Sequence, residues 1–592
     1  MAESEAKRSR LRLTPGCVEL KITQVTFGLR NGVPLSAWNS VLQDRFQPDC
    51  SIVPSVVYPI KMPVRCRNQK EALMLYRSNE GASIGTKATL TLGERVGEIE
   101  QTARCPEIVG VVIVTVLYFV LRLWGLRDAA LNRSFDEGVH LGLMQVVAKQ
   151  HATLYKDALF IHPPGVILAG ARLWPLVKGD VCTLRALYVV FCSLYILPTY
   201  AIARKLFGWK TALGTLVLLA VTPGFCGWLG RTIMLEPPLM VFLYAALWLL
   251  ICRPSSVSSA AAGICIGAGF VVKETALLMG FALIAVLLWD SVGRRSKKPF
   301  ELSAFPAATW LYFATGFGVA SALVLLRLLH YPHFWNDVAA LNARDPYKFT
   351  GRLYELQNGF FQLPIQMTVG VAGLSALLRS PHREPRVLGW FAIVCGVLTA
   401  VLAHRLFWRH LLCIMPICTM AAVHLIATSI NEKGRGTSLS RSVRIGRAVL
   451  LPACLVNVVT LFLYFGRERV LFPSCREAEA VLQQQASPVF TYDPLWIVAA
   501  QREFPRWEYA VDSVYARQYG MATDQDVLAV LRQCPTVLLD RNVYRECSRP
   551  VLTALSAEYR PIYVHGVPDD VDYVAVLKRI PSIGSSPAKA AR

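Results

Sequence analysis

The sequence predicts an α-helical polytopic membrane protein of about eleven transmembrane helices with a C-terminal extracytoplasmic α/β domain. Three observations carry that prediction. Of 592 residues, 54% are hydrophobic and only 17% charged, more apolar surface than one ordinary soluble domain can bury. The apolar residues gather in windows near the ~20 residues that cross a hydrocarbon core of roughly 30 Å. Past residue 470 these windows stop, and short apolar runs alternate with helically spaced segments.

In order, the windows fall near 107–126, 183–203, 210–224, 236–252, 257–272, 275–290, 306–329, 362–378, 387–403, 410–429 and 447–465. Residues 1–105 are mixed and polar, without the apolar core of a secretory signal. They read as a poorly ordered or mis-started cytoplasmic segment, which makes the first window an uncleaved anchor. The remaining divisions are a transmembrane domain over 106–466 with a large outer loop at 127–182, a soluble extracytoplasmic domain over 470–580, and a disordered tail at 581–592.

Alternating the windows sorts their loops into two sets. One holds Arg204, Lys205, Lys210, Arg253, Arg294, Arg295, Lys297, Lys298, Arg379, Arg383 and Arg386, and ends with Lys433, Arg435, Arg441, Arg444 and Arg447. By the positive-inside rule this set is cytoplasmic, as is the N-terminus of a protein of the cell (plasma or inner) membrane. The formal charge of +22 is therefore explained by lipid topology, and no nucleic-acid partner is implied. The 16 cysteines are scattered, many inside apolar runs and without a CxxC pair, so they read as small buried hydrophobes.

The same alternation places Asp136, Glu137, His162, Arg231, Glu236, Lys273, Glu274, Arg344, Asp345, Arg405 and Arg409 at outer ends of spans or in outer loops. Ionisable residues near membrane depth are costly and mark function or pairing. Both signs concentrated on one side suggest a charged outer cleft.

Along the chain, Asp136 and Glu137 precede an amphipathic segment with Val139, Leu143, Val146 and Val147 on one face, as expected of a helix lying in the interface. Two carboxylates there also suit the helix dipole. Tyr155 and the run Phe160-Ile161-His162-Pro163-Pro164-Gly165 follow, where two prolines force a rigid turn that presents His162. His162 suits a hydrogen-bonding partner, with a divalent metal ion as the alternative and the only cofactor left open. Arg231 and Glu236 stand five apart before Pro237-Pro238, the spacing of a local ion pair. Lys273-Glu274 lies between two windows with almost no loop, so the pair needs a polar partner on another helix, or water. Arg405 and Arg409 break the positive-inside tendency and call for an anion, to which arginine offers a permanently charged planar fork.

Taken together, Asp136-Glu137, the Tyr155 to His162-Pro163-Pro164 stretch, Arg231 through Glu236, Lys273-Glu274, and Arg409-His410-Leu411-Leu412 with Pro416 resemble the GT-C superfamily of integral membrane glycosyltransferases. The resemblance is in particular to the protein O-mannosyltransferase and lipid A aminoarabinose transferase types, over about 106–466. The resemblance implies a polyprenyl-phosphate sugar donor and an acceptor hydroxyl on the extracytoplasmic side, supplied by a lipid, glycan or protein. It makes Asp136 the catalytic carboxylate. Glu137 would orient hydroxyls, with Arg409 first and Arg231, Arg405 and Lys273 next on the donor phosphate. Tyr155, His162, Glu236 and Glu274 would contact substrate. A sugar-binding repeat domain, carried by the eukaryotic protein mannosyltransferases, is absent, which weakens the case for a protein acceptor.

In the C-terminal region, 488–492, 536–539 and 573–577 read as buried strands, and 524–534 and 551–559 carry helical spacing. Asp493 and Asp540 end strands, where helix capping is favoured over ligand binding. The rival to transfer is a flippase for lipid-linked sugars, which should show ionisable residues on both faces and through the membrane middle. A glycan ligase or polymerase shares the architecture and differs in its acceptor.

Overall fold

The structure is a computed structural model that describes residues 87–126, 135–294, 308–331, 333–340, 349–402, 407–434, 441–541, 546–568 and 573–581. Residues 1–86, the beginning of the 127–182 loop, and Arg344, Asp345 and Arg405 lie outside the described residues.

Six described helices are long and apolar enough to cross a membrane: Cys105–Leu123, Val181–Phe207, Thr275–Val292, Thr309–Leu328, Arg383–Leu402 and Trp408–Ser429. Arg352–Gln362 and Gln366–Leu378 pass the same test together but bend by 108° at their break. Four shorter apolar helices join them, Trp209–Val221, Glu236–Cys252, Ser256–Gly269 and Ala448–Leu463. Each apolar window of the sequence lies on one of these helices, with ends shifted by a few residues. Local chemistry sets several starts. Asp180 accepts a hydrogen bond from the Thr183 N–H at 2.8 Å to cap the Val181 helix. Pro237 and Pro238 occupy the first turn of the Glu236 helix, where the missing N–H groups cost nothing.

On the first span Val114 and Tyr118 face inward, while Ile108, Val112, Ile113, Val116 and Val120 are exposed. A run of large exposed aliphatics on a helix marks a surface for lipid rather than water. The helices also have two chemically distinct ends. At one end, Arg204 pairs with Glu107, Lys205 donates to the Ile251 carbonyl at 2.5 Å, and Arg383 pairs with Asp290. These belong to the basic loop set. Asp136, Glu236, Lys273 and Arg409 converge at the other end.

Thr86–Arg592 form one compact unit. The helix Arg441–Gln483 runs for 43 residues without a break at 466–470. At 1.5 Å per residue it spans about 65 Å, twice a hydrocarbon core, so it carries the chain from the bundle into the C-terminal layer. That layer is a four-stranded sheet of β1 (Val489–Phe490), β2 (Thr536–Asp540), β3 (Tyr559–His565) and β4 (Val574–Arg579), in the order β1-β2-β4-β3. β1 and β2 are parallel, and β4 is antiparallel to both neighbours, with Leu538 opposite Val576. Three strands match the expected runs. β3 was not expected: it contains Pro561, exposes several of its residues and occupies a sheet edge, where a strand needs only one ladder.

Between bundle and sheet lies the helix Phe135–Gln150. Its residues from Glu137 to Val146 are all buried, so the expectation of a helix lying in the interface with one apolar face is corrected to a helix covered on both sides. Gly138 and Gly142 face the C-terminal layer. A Cβ on Gly138 would stand 2.7 Å from the Leu495 nitrogen, and one on Gly142 2.8 Å from a Val511 methyl. Gln145, a turn further on, donates to the Arg502 carbonyl at 2.5 Å. Two glycines four apart thus let the layer approach the helix backbone and close the space above its N-terminal turn.

Candidate functional site

A cavity of about 470 Å³ opens at the acidic end of the bundle. Its wall draws on Asp136 and His140 from the Phe135–Gln150 helix, His162 from the proline turn, Glu236, the Lys273–Glu274 turn, and Arg409 and His410. Apolar Leu277, Leu278, Phe281 and Leu402 complete one side. A space of this size, mostly apolar with a few convergent charges, has the character of a small-molecule site.

The charges form one network. Lys273 Nζ donates to Glu236 Oε1 at 2.6 Å, and Arg409 Nε lies 3.5 Å from the same oxygen. His410 Nε2 approaches it at 3.8 Å. Through NH1, Arg409 also pairs with Asp136 Oδ2, while its guanidinium carbon sits 4.3 Å over the Phe407 ring. One arginine therefore bridges carboxylates from two distant helices. Burial alone would raise the Asp136 carboxyl, but Arg409, helped by His140, holds it below the usual carboxylate range. His140 is held neutral by burial, its pKa lowered to about 4 even though it meets the Ile233 carbonyl through Nδ1 at 2.7 Å.

On the far wall His162 Nδ1 lies 3.2 Å from Glu274 Oε2. Burial would raise Glu274, yet His162 and then Lys273 pull it down to about 2. The proline turn is docked against this corner by the Gly165 N–H, which donates to the Val271 carbonyl at 2.9 Å. So the sequence-distant His162 and Lys273-Glu274 motifs meet through backbone as well as side chains.

Asp136, His162, Glu236, Lys273, Glu274 and Arg409 are thus brought together as expected positions of one cleft. Three other expected residues stand elsewhere. Glu137 is fully buried and clamped by Arg185, whose Nε donates to Oε1 at 2.7 Å and whose NH2 pairs with Oε2. It also accepts from the Ile233 N–H at 2.8 Å, so it is outside the cavity wall and its carboxylate has no reach to a substrate hydroxyl. Helix geometry explains the split, since adjacent residues point about 100° apart. Arg231 is fully buried, donates to the Trp124 carbonyl and is not part of the cavity wall. The expected Arg231–Glu236 pair is replaced by the pairing of Glu236 with Lys273 and Arg409. Tyr155 acts one step back. In a left-handed backbone (φ 63°), packed edge-on against Phe334 at 5.3 Å, it donates to the His162 carbonyl at 2.6 Å and fixes the turn.

The wall also holds residues that sequence reasoning did not choose as site residues. His140 stands four residues after Asp136, a spacing that puts both on one helix face and was the available signal. Asp512, Tyr515 and Tyr519 come from the C-terminal layer, and no local pattern marks them. Burial, and then the nearby Asp136, push the Asp512 carboxyl up to about 8. Among the described residues no group of three or more His, Cys, Asp or Glu side chains is arranged to hold a metal ion, so His162 gains no co-ligands there.

A family model described as "Dolichyl-phosphate-mannose-protein mannosyltransferase" matches residues 162–342, which include His162, Glu236, Lys273 and Glu274 but neither Asp136 nor Arg409. Among solved structures, ArnT from Cupriavidus metallidurans bound to undecaprenyl phosphate matches with a TM-score of 0.54 at 14% identity, over 80% of this chain and 98% of that one. The apo state of the same protein matches at 0.52 and 14%, over 81% and 98%. An Archaeoglobus fulgidus oligosaccharyltransferase in complex with Zn and sulfate matches at 0.44 and 13%, over 78% and 72%. No curated protein matches the chain in sequence. The chain shares the fold of ArnT and has the apolar helices of a multi-pass membrane protein.

Proposed function

We propose that this GT-C-fold chain transfers a sugar from a polyprenyl-phosphate carrier to an acceptor hydroxyl on the extracytoplasmic side, inverting the anomeric carbon. The observation that carries the reading is the Asp136–Arg409–Glu236–Lys273 network on the wall of one cavity. Transfer from a lipid phosphate passes through an oxocarbenium-like centre, and the departing phosphate needs little protonation. One base and a cationic cradle therefore suffice, unlike the two carboxyls of a glycosidase.

Asp136 takes the proton of the acceptor hydroxyl as its oxygen bonds to the anomeric carbon. The bond from that carbon to the phosphate oxygen breaks, and its electron pair leaves with the lipid phosphate. Arg409 and Lys273 stabilise that charge without reorganising. Arg409 has a second use. An entering phosphate competes with Asp136 for the guanidinium, and as the arginine turns toward phosphate, Asp136 keeps its burial but loses the partner that depresses its pKa. Donor binding in this way raises the basicity of the base. Glu137, sealed by Arg185, positions the helix and takes no proton.

Two further facts support a lipid-phosphate donor. The structurally similar ArnT binds undecaprenyl phosphate, and the matching family is described by a dolichyl-phosphate sugar. The basic loops at the opposite end of the bundle, read by the positive-inside rule, support an outward-facing cavity. The test uses purified protein in detergent with labelled polyprenyl-phosphate sugars and candidate acceptors. Release of free lipid phosphate with an inverted glycosidic product is expected; a protein that moves the lipid between leaflets and releases none would overturn the reading.

A further inference from the structure

We propose that the roof of the cavity is a sugar-ring subsite contributed by the C-terminal layer, with Tyr515 and Tyr519 as its stacking platform and Asp512 as its hydroxyl-binding acid. This rests on the transfer reading above and assigns the part of the site that holds the carried sugar. Asp512 is 3% exposed and lines the cavity. One carboxyl oxygen accepts from the Tyr515 N–H at 3.3 Å, and the other has no hydrogen-bond partner among the described residues. A carboxyl with an oxygen left over at a cavity wall can meet the hydroxyl of an entering ligand.

The aromatic part is equally specific in geometry. Tyr515 and Tyr519, one helical turn apart, are stacked with ring centroids 5.9 Å apart and planes 14° from parallel. Phe135 packs against Tyr515 at 6.3 Å, and it precedes Asp136 in the chain. A sugar offers C–H groups on its ring faces and hydroxyls around its edge. A flat aromatic surface beside an acid matches both, and the same surface offers little to a polyprenyl phosphate without its sugar. Because Phe135 ties Tyr515 to the residue before Asp136, a ring resting there has its anomeric carbon within the span of the base and Arg409. The subsite therefore makes the C-terminal layer part of sugar selection.

The full chain in detergent is titrated with bare undecaprenyl phosphate and with undecaprenyl phosphate carrying mannose, glucose or aminoarabinose. The wild type is expected to bind one sugar-bearing form more tightly than the bare lipid. Tyr515→Ala should remove that preference, a loss on the order of tenfold, and leave affinity for the bare lipid unchanged. Tyr515→Phe should retain it. Asp512→Asn keeps an oxygen for the Tyr515 N–H, so it isolates the hydroxyl contact and should raise KM for the sugar lipid several-fold at similar melting temperature. Equal wild-type affinity for bare and sugar-bearing lipid overturns the subsite and leaves the transfer reading standing. So does a Tyr515→Ala variant, or an Asp512→Asn variant, that weakens both lipids alike. A wild type that binds no lipid phosphate overturns both.

Discussion

Two ion-pair networks meet at the first turn of the Phe135–Gln150 helix, built on neighbouring carboxylates. Glu137 is closed: its oxygens are used by Arg185 and the Ile233 N–H, and both members of the pair are inaccessible. Asp136 is open: it shares Arg409 with Glu236 and borders a cavity of about 470 Å³. Their difference teaches that an acidic pair in sequence is not a pair in function. A buried carboxylate whose partner is dedicated adds rigidity, whereas one whose partner is shared can change partners when an anion arrives.

The largest effect separates the two residues directly. Asp136→Asn is expected to lower transfer by on the order of 10⁴-fold, the upper range for a lost general base, with unchanged melting and retained donor binding. An active Asn variant would return the base to another group. Next, Arg185→Ala leaves Glu137 buried without its counter-ion and should cost about 3–5 kcal/mol of stability, read as a fall in the thermal unfolding midpoint. Replacing both partners together, as Glu137→Gln with Arg185→Met, should recover much of that loss and keep activity. If the double variant is stable but inactive, Glu137 belongs to the open network after all.

Arg409→Lys tests sharing itself. Lysine keeps the charge but lacks the fork that reaches Asp136 and Glu236 together. About 3 kcal/mol, or roughly a hundredfold in rate, is expected to be lost while bare-lipid binding falls less. A smaller, structural effect follows from the glycine pair. Gly142→Leu places a side chain where Val511 and Phe504 already stand and should cost about 1–3 kcal/mol. It should also open the cavity roof, so KM for the sugar donor rises while Arg185-dependent stability is unaffected.

The sequence reading reached the open network more fully than the closed one, for a physical reason. Basic-loop alternation and the costly charges at helix ends carry direct sequence signals, and they brought Asp136, Glu236, Lys273, Glu274 and Arg409 to one end. Pairing is a property of packing, and spacing says nothing of it. Arg185 lies inside an apolar window and so demanded a partner, but only the folded bundle shows that Glu137, 48 residues away, is that partner. Arg231, which spacing paired with Glu236, proved to be tied to the Trp124 carbonyl outside the cavity. The roof was least legible. Asp512 and Tyr515 reach the cavity because Gly138 and Gly142 admit the C-terminal layer, a close approach that only the packed structure reveals.

The smallest effect is on pH dependence, and it distinguishes the roof from the floor by sign. His140, with its pKa lowered to about 4, contributes stability that is present above its unfolded value of about 6.5 and lost as pH falls toward 4. Asp512 acts the other way: raised to about 8, it contributes stability that is complete below about pH 3.9 and lost as pH rises through 8. Asp337, raised to about 6 by burial, has the same sign as Asp512 over a shorter window. Between about pH 4 and pH 6.5 these contributions oppose one another, and above 6.5 only Asp512 of the three is still titrating. The unfolding midpoint should therefore decline on the acid side, where His140 offsets only one of the two carboxyls, and decline again between about pH 6.5 and pH 8, with Asp512→Asn abolishing that second decline. An unchanged decline in the variant would mean that Asp512 is already ionised at neutral pH. The roof would then present a carboxylate to the incoming phosphate, a repulsion that works against the role of Asp512 as a hydroxyl-binding acid.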